Sequence, residues 1–496
     1  MSPDARAALK VVAGFALARL GFALSLGLGI DESYTQVVAR KLQLSYFDHP
    51  PLHLWIAHFA ALAFGEGVSV RLPFVALFAL TGWMAFALAR RLFGPRAALI
   101  ALFSLNAAPF FFASAGAWVV PDGPMLCALA AAALLLERIF FGEAGEAWAK
   151  WLGAGLCLGL AGLAKYNAVF PALGVVLFVA LSPRQRRWLR RPEPYAGALL
   201  ALLVFSPALA WNAENGWISF AFQSARGAAD GAWRPERPLA MALGEAALLS
   251  PWLFAPLAMA GAAALRGGWR DEHKAFLLCL ALPAIAAFTL APLWGQRGLP
   301  HWPMPGWFFV FPLLGAWLNE GWARGRDLTR WALACAALMG ALAIGAAAQA
   351  SSGWLTWAFD PKAIGGVDPT LEAMGWDALR GAPALAKPPA FVVAARWSDG
   401  GKIGLALGPA TPVLIFSQDP RGLAFLHDSA EFVGADGVVV VRAKDLAATL
   451  AAIAPYFADL GEPQSLRLAR ADGAGIDLAL VPAHGLTRRF ALPYPR

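Results

Sequence analysis

The chain has 496 residues, a length that by itself suggests roughly three domains. Composition overrides that reading: 59% of residues are hydrophobic and 15% charged, where soluble globular proteins carry about 25% charged residues. With a mean hydropathy of +0.57, disorder, a coiled coil and an ordinary soluble enzyme are excluded, and a polytopic membrane protein with a limited soluble part is expected. The net charge is +8 and the pI about 9.5. The basic residues sit in short clusters between apolar runs, which fits juxtamembrane contact with anionic lipid and not nucleic-acid binding. Cys127, Cys157, Cys279 and Cys335 all lie in apolar stretches. They read as buried single thiols, and no CxxC or Cys/His metal spacing occurs.

A spanning helix needs about 20 mostly apolar residues. About eleven segments are predicted to span: Val11–Ile30, Leu72–Ala89, Ala97–Ala115, Pro124–Phe141, Trp151–Ala164, Ala168–Leu181, Tyr195–Trp211, Leu239–Leu265, Ala275–Leu293, Gly306–Leu318 and Trp331–Ala348. The first resembles a signal peptide, but no small-residue cleavage site follows, so it is read as a retained helix. Lys and Arg favour the cytoplasmic loops. With the N-terminus inside, SPRQRRWLRRP at 182–192 is the strongest cytoplasmic anchor, and it stays inside only if the fifth and sixth segments form two passes split at Lys165.

The last helix then leaves everything after about Ser351 on the outer side. There the short runs FVVAARW (391–397), PVLIF (412–416), GVVVVR (437–442) and LALVP (478–482) alternate with helical patterns such as AKDLAATLAAI (443–453), which predicts a small α/β domain. The expected plan is a membrane domain over residues 1–350, with a first outer loop at about 31–71, and an extracytoplasmic domain over 351–496.

The predicted outer loops carry nearly all the unusual residues. The first contains Asp31 and Glu32 at the membrane boundary, then Tyr34, then Asp48, His49, Pro50, Pro51 and His53, and closes at Arg71. Charges at that depth are costly unless they face protein or a water cavity; the bland reading is that the two acids end a helix at the interface. Pro50 and Pro51 stiffen the loop and break any helix through His49. Asp122 lies between two prolines, as an N-terminal helix cap or a site carboxylate. Lys165 beside Tyr166 is either a snorkelling lysine or a phosphate ligand. The run at 211–227 holds Glu214, Gln223 and Arg226 among aromatics, and 294–307 puts Arg297 and His301 among three tryptophans. Aromatic faces and planar Arg donors suit both a sugar–phosphate and an interfacial belt. Acids, cations, histidines and aromatics on one face, with helix centres almost free of charge, favour a surface-facing active site over a conducting path.

DESY (31–34) with YFDHPPL (46–52), PDGPM (121–125), GLAKYNAVFPALG (162–174), WNAENGWISFAFQ (211–223) and LPHWPMPGW (299–307) resemble the bacterial branch of the dolichyl-phosphate-mannose–protein mannosyltransferase superfamily. That superfamily has the GT-C fold and includes the lipid A aminoarabinose transferases. The resemblance covers roughly residues 10 to 320. It implies an integral-membrane glycosyltransferase of the bacterial inner membrane, with a periplasmic active site and an inverting displacement at the anomeric carbon. The implied donor is a sugar on polyprenyl phosphate. The implied acceptor is an envelope glycolipid or lipopolysaccharide component; protein O-glycosylation, or non-catalytic translocation of a lipid-linked sugar, are the alternatives. Asp31 is the implied catalytic residue, with Glu32 and Asp122 as further acids. Lys165, Tyr166, Arg297, His301, Tyr34 and Arg71 are implied around the donor, and Asp48, His49, His53 and Glu214 at the acceptor or loop. No cofactor is expected to be required, although Asp48, His49 and His53 carry ligand types a divalent ion accepts.

Overall fold

Each predicted apolar segment forms helix. The computed structural model describes residues 1–143, 145–227, 232–295, 298–322, 328–356, 368–491 and 493–494. Helix α1 (Pro3–Ser25) is followed by α2 (Ile30–Ala39) and α3 (Leu52–Phe64) in the first loop. Then come α4 (Leu72–Asn106), a π-helical turn at Phe110–Ser114, α5 (Ala115–Ala117), α6 (Asp122–Phe140), α7 (Ala147–Ala164), α8 (Val169–Leu181), α9 (Pro192–Glu214), α10 (Ile218–Gly227), α11 (Glu236–Leu249), α12 (Pro251–Gly267), α13 (Glu272–Leu290), α14 (Met304–Trp322) and α15 (Leu328–Ser352). Among the described residues seven helices are long and apolar enough to cross a membrane, or eight if the bent pair α11–α12 is one span. This is a multi-pass membrane protein.

Two spans differ from expectation, for local backbone reasons. The second and third predicted segments run together in α4, broken only at Gly94 (φ 84°, ψ 173°) before Pro95. The predicted pass Leu239–Leu265 is bent by 114° between α11 and α12. Ser250 there adopts φ 70°, ψ 138°, and Pro251 after it lacks the N–H that would continue the helix and disfavours helical backbone at the preceding residue.

The chain folds into two compact units. One comprises residues 1–21, 44–53 and 72–341; the other comprises 22–43, 54–71 and 342–496. In the first unit, helices close on one another where side chains are absent. A Cβ on Gly155 of α7 would lie 2.0 Å from the Gly197 carbonyl of α9, and one on Gly315 of α14 would lie 2.2 Å from the Ala97 carbonyl of α4. Such contacts let backbones approach in an apolar medium, where packing and not water exclusion holds helices together.

One buried charge was absent from the expected plan. Arg19 of α1 is 0% exposed. Its Nη2 donates to Asn106 Oδ1 at 2.7 Å and its Nε to the Phe112 carbonyl at 3.1 Å. The guanidinium also lies over the Phe78 ring, 4.4 Å from its centroid. The π-helical turn supplies that carbonyl, an instance of such turns occurring where a special contact is needed. A helix centre is thus charged after all, and the charge is fully met by neutral partners.

The second unit contains a six-stranded mixed sheet. Strand β1 (Phe391–Ala394) pairs parallel with β2 (Val413–Ile415) and β3 (Gly437–Arg442). The twelve-residue β6 (Gly475–Leu486) runs antiparallel to β3 and, on its other edge, to β5 (Gln464–Ala469) and β4 (Phe457–Leu460). Helices α16 (Trp397–Leu407) and α17 (Leu446–Ile453) complete it. Phe391, Val393, Leu414, Val439, Phe457 and Val481 form the core between sheet and α17.

The boundary predicted at residue 350 follows the sequence, whereas the packing joins most of the first loop to the C-terminal residues. Helix α2 lies directly on α16: a Cβ on Gly401 would meet the Tyr34 backbone at 2.7 Å. Tyr34 Oη accepts the Gly422 N–H at 2.8 Å, and Arg40 Nη2 donates to the Gly404 carbonyl at 2.8 Å. Glu32 and Arg71, 2% and 1% exposed, fix the two ends of the loop segment. Arg71 Nε and Nη2 donate to the two Glu32 carboxylate oxygens at 2.7 and 2.5 Å, while its Nη1 donates to the Ala23 and Leu26 carbonyls at 2.5 and 2.7 Å.

Removing one partner of a buried ion pair costs about 3–5 kcal/mol, because the other charge stays buried. Arg71→Ala should therefore lower the thermal unfolding midpoint sharply, and the double replacement Glu32→Gln/Arg71→Met should recover most of the loss. Equal midpoints for Arg71→Ala and the native protein would show that the pair does not hold the loop.

Candidate functional site

In the first compact unit, Asp122 opens α6. Pro121 precedes it, and Gly123 after it presses so closely on α5 that a Cβ would lie 2.7 Å from the Ala115 carbonyl. The carboxylate therefore sits at a helix N-terminus, where the backbone dipole favours negative charge. Lys165 follows the last residue of α7 in extended backbone (φ −155°, ψ 135°). That break turns its ammonium onto Asp122: Nζ lies 2.9 Å from both carboxylate oxygens. Asp122 is 4% and Lys165 6% exposed. In a pair so buried each charge answers the other.

Around this pair stand the first loop's histidines and the loop after α13. Asp122 lies within electrostatic reach of His49 and His301, and His53 within reach of Asp122 and Lys165. His49 and His53 meet edge to face, ring centroids 5.5 Å apart. Burial, with Lys165 adding to it against the opposing pull of Asp122, drops the His301 imidazole to about 4. At neutral pH His301 is therefore an uncharged hydrogen-bonding group and not a cation.

The same loops tie in α9 and α10. Ser219 Oγ donates to the Tyr46 carbonyl at 3.0 Å and Gln223 Nε2 to the Asp48 carbonyl at 2.5 Å. Asn212 Oδ1 accepts the Ser219 N–H at 3.1 Å. Phe47 lies against Phe222 with centroids 4.8 Å apart, and the Arg226 guanidinium lies 5.4 Å from the Trp302 centroid. Asn167 Nδ2 donates to the Trp302 carbonyl at 3.3 Å. Tyr166 packs on Phe220, centroids 5.2 Å apart.

The Tyr166 hydroxyl lies among the polar side chains of Ser45, Asn212 and Ser219, and the buried His53 imidazole lies by the Pro50 backbone.

Asp122, Lys165, Tyr166, His301, Asp48, His49 and His53 thus lie in one compact unit around shared loops. Glu214 is exposed at the end of α9. Arg297 lies outside the described residues. Asp31, exposed in the first turn of α2, and Glu32, Tyr34 and Arg71 belong to the other unit. There Glu32 and Arg71, expected in catalysis and donor binding, are engaged with each other, and Tyr34 is engaged by the Gly422 backbone and by Trp397, its ring centroid 5.2 Å away. Asp48, His49 and His53 do not form a metal-holding group; no set of three or more His, Cys, Asp or Glu does so among the described residues.

Two buried polar clusters escaped the sequence reading. Arg19 stood as a lone basic residue in an apolar run, a sufficient signal. Glu245 of α11 accepts from Trp307 Nε1 at 2.7 Å and Thr289 Oγ1 at 2.8 Å; a carboxylate inside the predicted pass Leu239–Leu265 was the signal there.

Residues 48–211 match the family model described as dolichyl-phosphate-mannose-protein mannosyltransferase. That stretch contains Asp48, His49, His53, Asp122, Lys165 and Tyr166. Over that stretch the chain resembles this family. The GT-C fold extends over nearly the whole chain. ArnT from Cupriavidus metallidurans, in a crystal structure bound to undecaprenyl phosphate, superposes with a TM-score of 0.62 at 17% identity, covering 95% of this chain and 97% of that one. Its apo form gives 0.63 at 17% identity, covering 96% and 98%. The oligosaccharyltransferase AglB from Archaeoglobus fulgidus, in complex with an inhibitory peptide and a dolichol-phosphate, gives 0.50 at 13% identity, covering 88% of this chain and 70% of that one. No curated protein sequence matches this one.

The lowered His301 imidazole has a consequence for this GT-C fold. The unfolded imidazole protonates near 6.5 and the folded one near 4, so between those values the unfolded chain takes up a proton that the folded chain refuses. Stability is then full above about 6.5 and falls as pH drops toward 4, by on the order of 3 kcal/mol. Thermal unfolding in detergent between pH 7 and 4.5 should show this fall, and His301→Asn should flatten it. Parallel curves for the two proteins would mean that His301 titrates normally.

Proposed function

We propose that the protein is an inverting glycosyltransferase that moves a sugar from a polyprenyl-phosphate carrier to an acceptor at the periplasmic face of a bacterial inner membrane. The observation that carries the reading is the buried Lys165–Asp122 pair, within the stretch that the family model matches and beside the neutral His301 imidazole. It is supported by a fold shared with a protein crystallised with undecaprenyl phosphate.

Transfer requires the acceptor oxygen to bond the anomeric carbon as the carbon–oxygen bond to phosphate breaks. The leaving group is a lipid phosphate monoester, which departs without protonation but needs cationic donors for its growing charge. Lys165 is assigned that role, with Arg297 as a second cation from the resemblance. The phosphate shares the ammonium with Asp122, since a carboxylate left alone there would bear the burial penalty. Tyr166, His53 and neutral His301 supply hydrogen bonds to the sugar or phosphate, as donors or acceptors according to tautomer. The acceptor hydroxyl loses its proton to a carboxylate, and the resemblance assigns this to Asp31, at the N-terminal end of α2. An envelope glycolipid is the favoured acceptor, because the branch resembled acts on lipid A.

A strain lacking the protein should lose one sugar mass from its envelope glycolipids and accumulate the charged carrier, read by lipid mass spectrometry. Asp31→Asn should fail to restore the sugar while still binding the donor. Lys165→Met/Asp122→Asn, which keeps the interior neutral, should bind a polyprenyl phosphate roughly tenfold to a hundredfold more weakly, the value of one or two charge-assisted bonds. Full restoration by Asp31→Asn would remove the catalytic assignment, and unchanged affinity in the double variant would remove Lys165 from the phosphate.

A further inference from the structure

Within the same compact unit, α8 and α13 border a groove of about 630 Å³. Its walls are almost wholly apolar; Phe170, Leu177 and Leu181 line it from α8, and Leu278 and Leu282 from α13. Trp269, also lining it, stacks on Phe178 with centroids 6.1 Å apart. At the end of α8 the character changes within three residues. A second cavity, about 470 Å³, is lined by Arg184, Gln185, Arg187, Glu272 and His273, with the rings of Phe140 and Phe141. The two hollows share one junction. Ser182, directly after the groove residue Leu181, donates to Glu272 Oε1 at 2.7 Å, and His273 precedes the groove residue Ala275 by two positions.

An apolar channel along two membrane helices that ends in a basic pocket has the polarity of a single phospholipid. We propose that α8 and α13 hold an anionic glycerophospholipid, one acyl chain in the groove and its phosphate on Arg184 and Arg187. The charges are available. Arg184 is 82% exposed at its side chain and only 3.5 Å from Glu272, a surface contact worth little, so a phosphate displaces it at small cost. Glu272 keeps Ser182 as its partner.

A second observation points the same way. Gln185 is 2% exposed. Its Nε2 donates to the Phe140 carbonyl at 3.2 Å, which fixes the amide's orientation because only the NH₂ donates. Its Oε1 is then left buried with no partner among the described residues. A headgroup hydroxyl, as on phosphatidylglycerol, supplies the donor that this oxygen lacks; a choline headgroup carries none. The residues concerned are distinct from Lys165 and Asp122, so occupancy here is separable from binding of the carrier lipid.

The full-length protein, delipidated in detergent and offered phosphatidylglycerol or phosphatidylcholine, tests this by native mass spectrometry. The native chain should retain phosphatidylglycerol in preference, and Arg184→Ala/Arg187→Ala should lose about tenfold of that preference, as expected for charge-assisted bonds at a partly exposed site. Leu278→Trp, which fills the groove and leaves both arginines, should also lower retention. Glycerol phosphate, which lacks acyl chains, should not displace the lipid at equal concentration. Equal retention of the two lipids, or unchanged preference in the double variant, would overturn the proposal. So would displacement by glycerol phosphate, which would mark a phosphate site without a lipid groove.

Discussion

A carboxylate and an ammonium 2.9 Å apart, each less than a tenth exposed, set the terms for the loops around them. Taken singly, either charge would cost several kcal/mol to bury. Together they are tolerable, and each fixes the other's backbone: Asp122 at the first turn of α6, Lys165 at the break between α7 and α8. The surrounding loops then arrange themselves on neutral hydrogen bonds, from Tyr46 to Ser219 and from Asp48 to Gln223. An incoming phosphate competes for the ammonium by the same Coulombic attraction that builds the empty site. A phosphate arriving there has to share the ammonium with Asp122, because a buried carboxylate left alone bears the same penalty.

The same constraint appears elsewhere in a chain with so few charges. Arg19 is met by a side-chain amide, a carbonyl and two aromatic faces. Arg71 is met by Glu32 and by carbonyls at the end of α1. In the sheet-bearing unit, Arg442 Nη2 contacts Asp399 at 2.6 Å and Glu372 at 2.7 Å, and Arg470 Nη1 contacts Asp368 at 2.7 Å. These are not equivalent to the Lys165–Asp122 pair in what they leave open. Arg71 is saturated by backbone carbonyls as well as by its acid, whereas among the described residues the Lys165 ammonium donates only to Asp122. Saturation separates charges that hold the fold from charges that are poised for a ligand.

Much of this was legible in the residues. Apolar run length located the helices, and β-branched runs at 391–394 and 437–442 marked the central strands, whereas the bend at Ser250-Pro251 inside a predicted continuous pass was not read. PDGPM and GLAKYNAVF placed Asp122 and Lys165 at helix ends. What the residues did not reveal is pairing across long separation. Lys165 and Asp122 are 43 positions apart, and Glu32 and Arg71 are 39 apart; no local pattern says which acid meets which base, so Glu32 and Arg71 read as site residues. Strands β4 and β5 were missed because their exposed, polar faces carry a weak apolar signal. The folding of the first loop into the C-terminal unit depends on Gly401 admitting the α2 backbone, a contact that composition cannot show.

Where a lipid phosphate comes to rest decides whether the Lys165–Asp122 pair is its site. A structure of the protein with undecaprenyl phosphate should place a phosphate oxygen within about 4 Å of Lys165 Nζ, ion-pair distance, with the ammonium shared or drawn away from Asp122. A phosphate bound elsewhere, with Lys165 still held between both Asp122 oxygens, would contradict it.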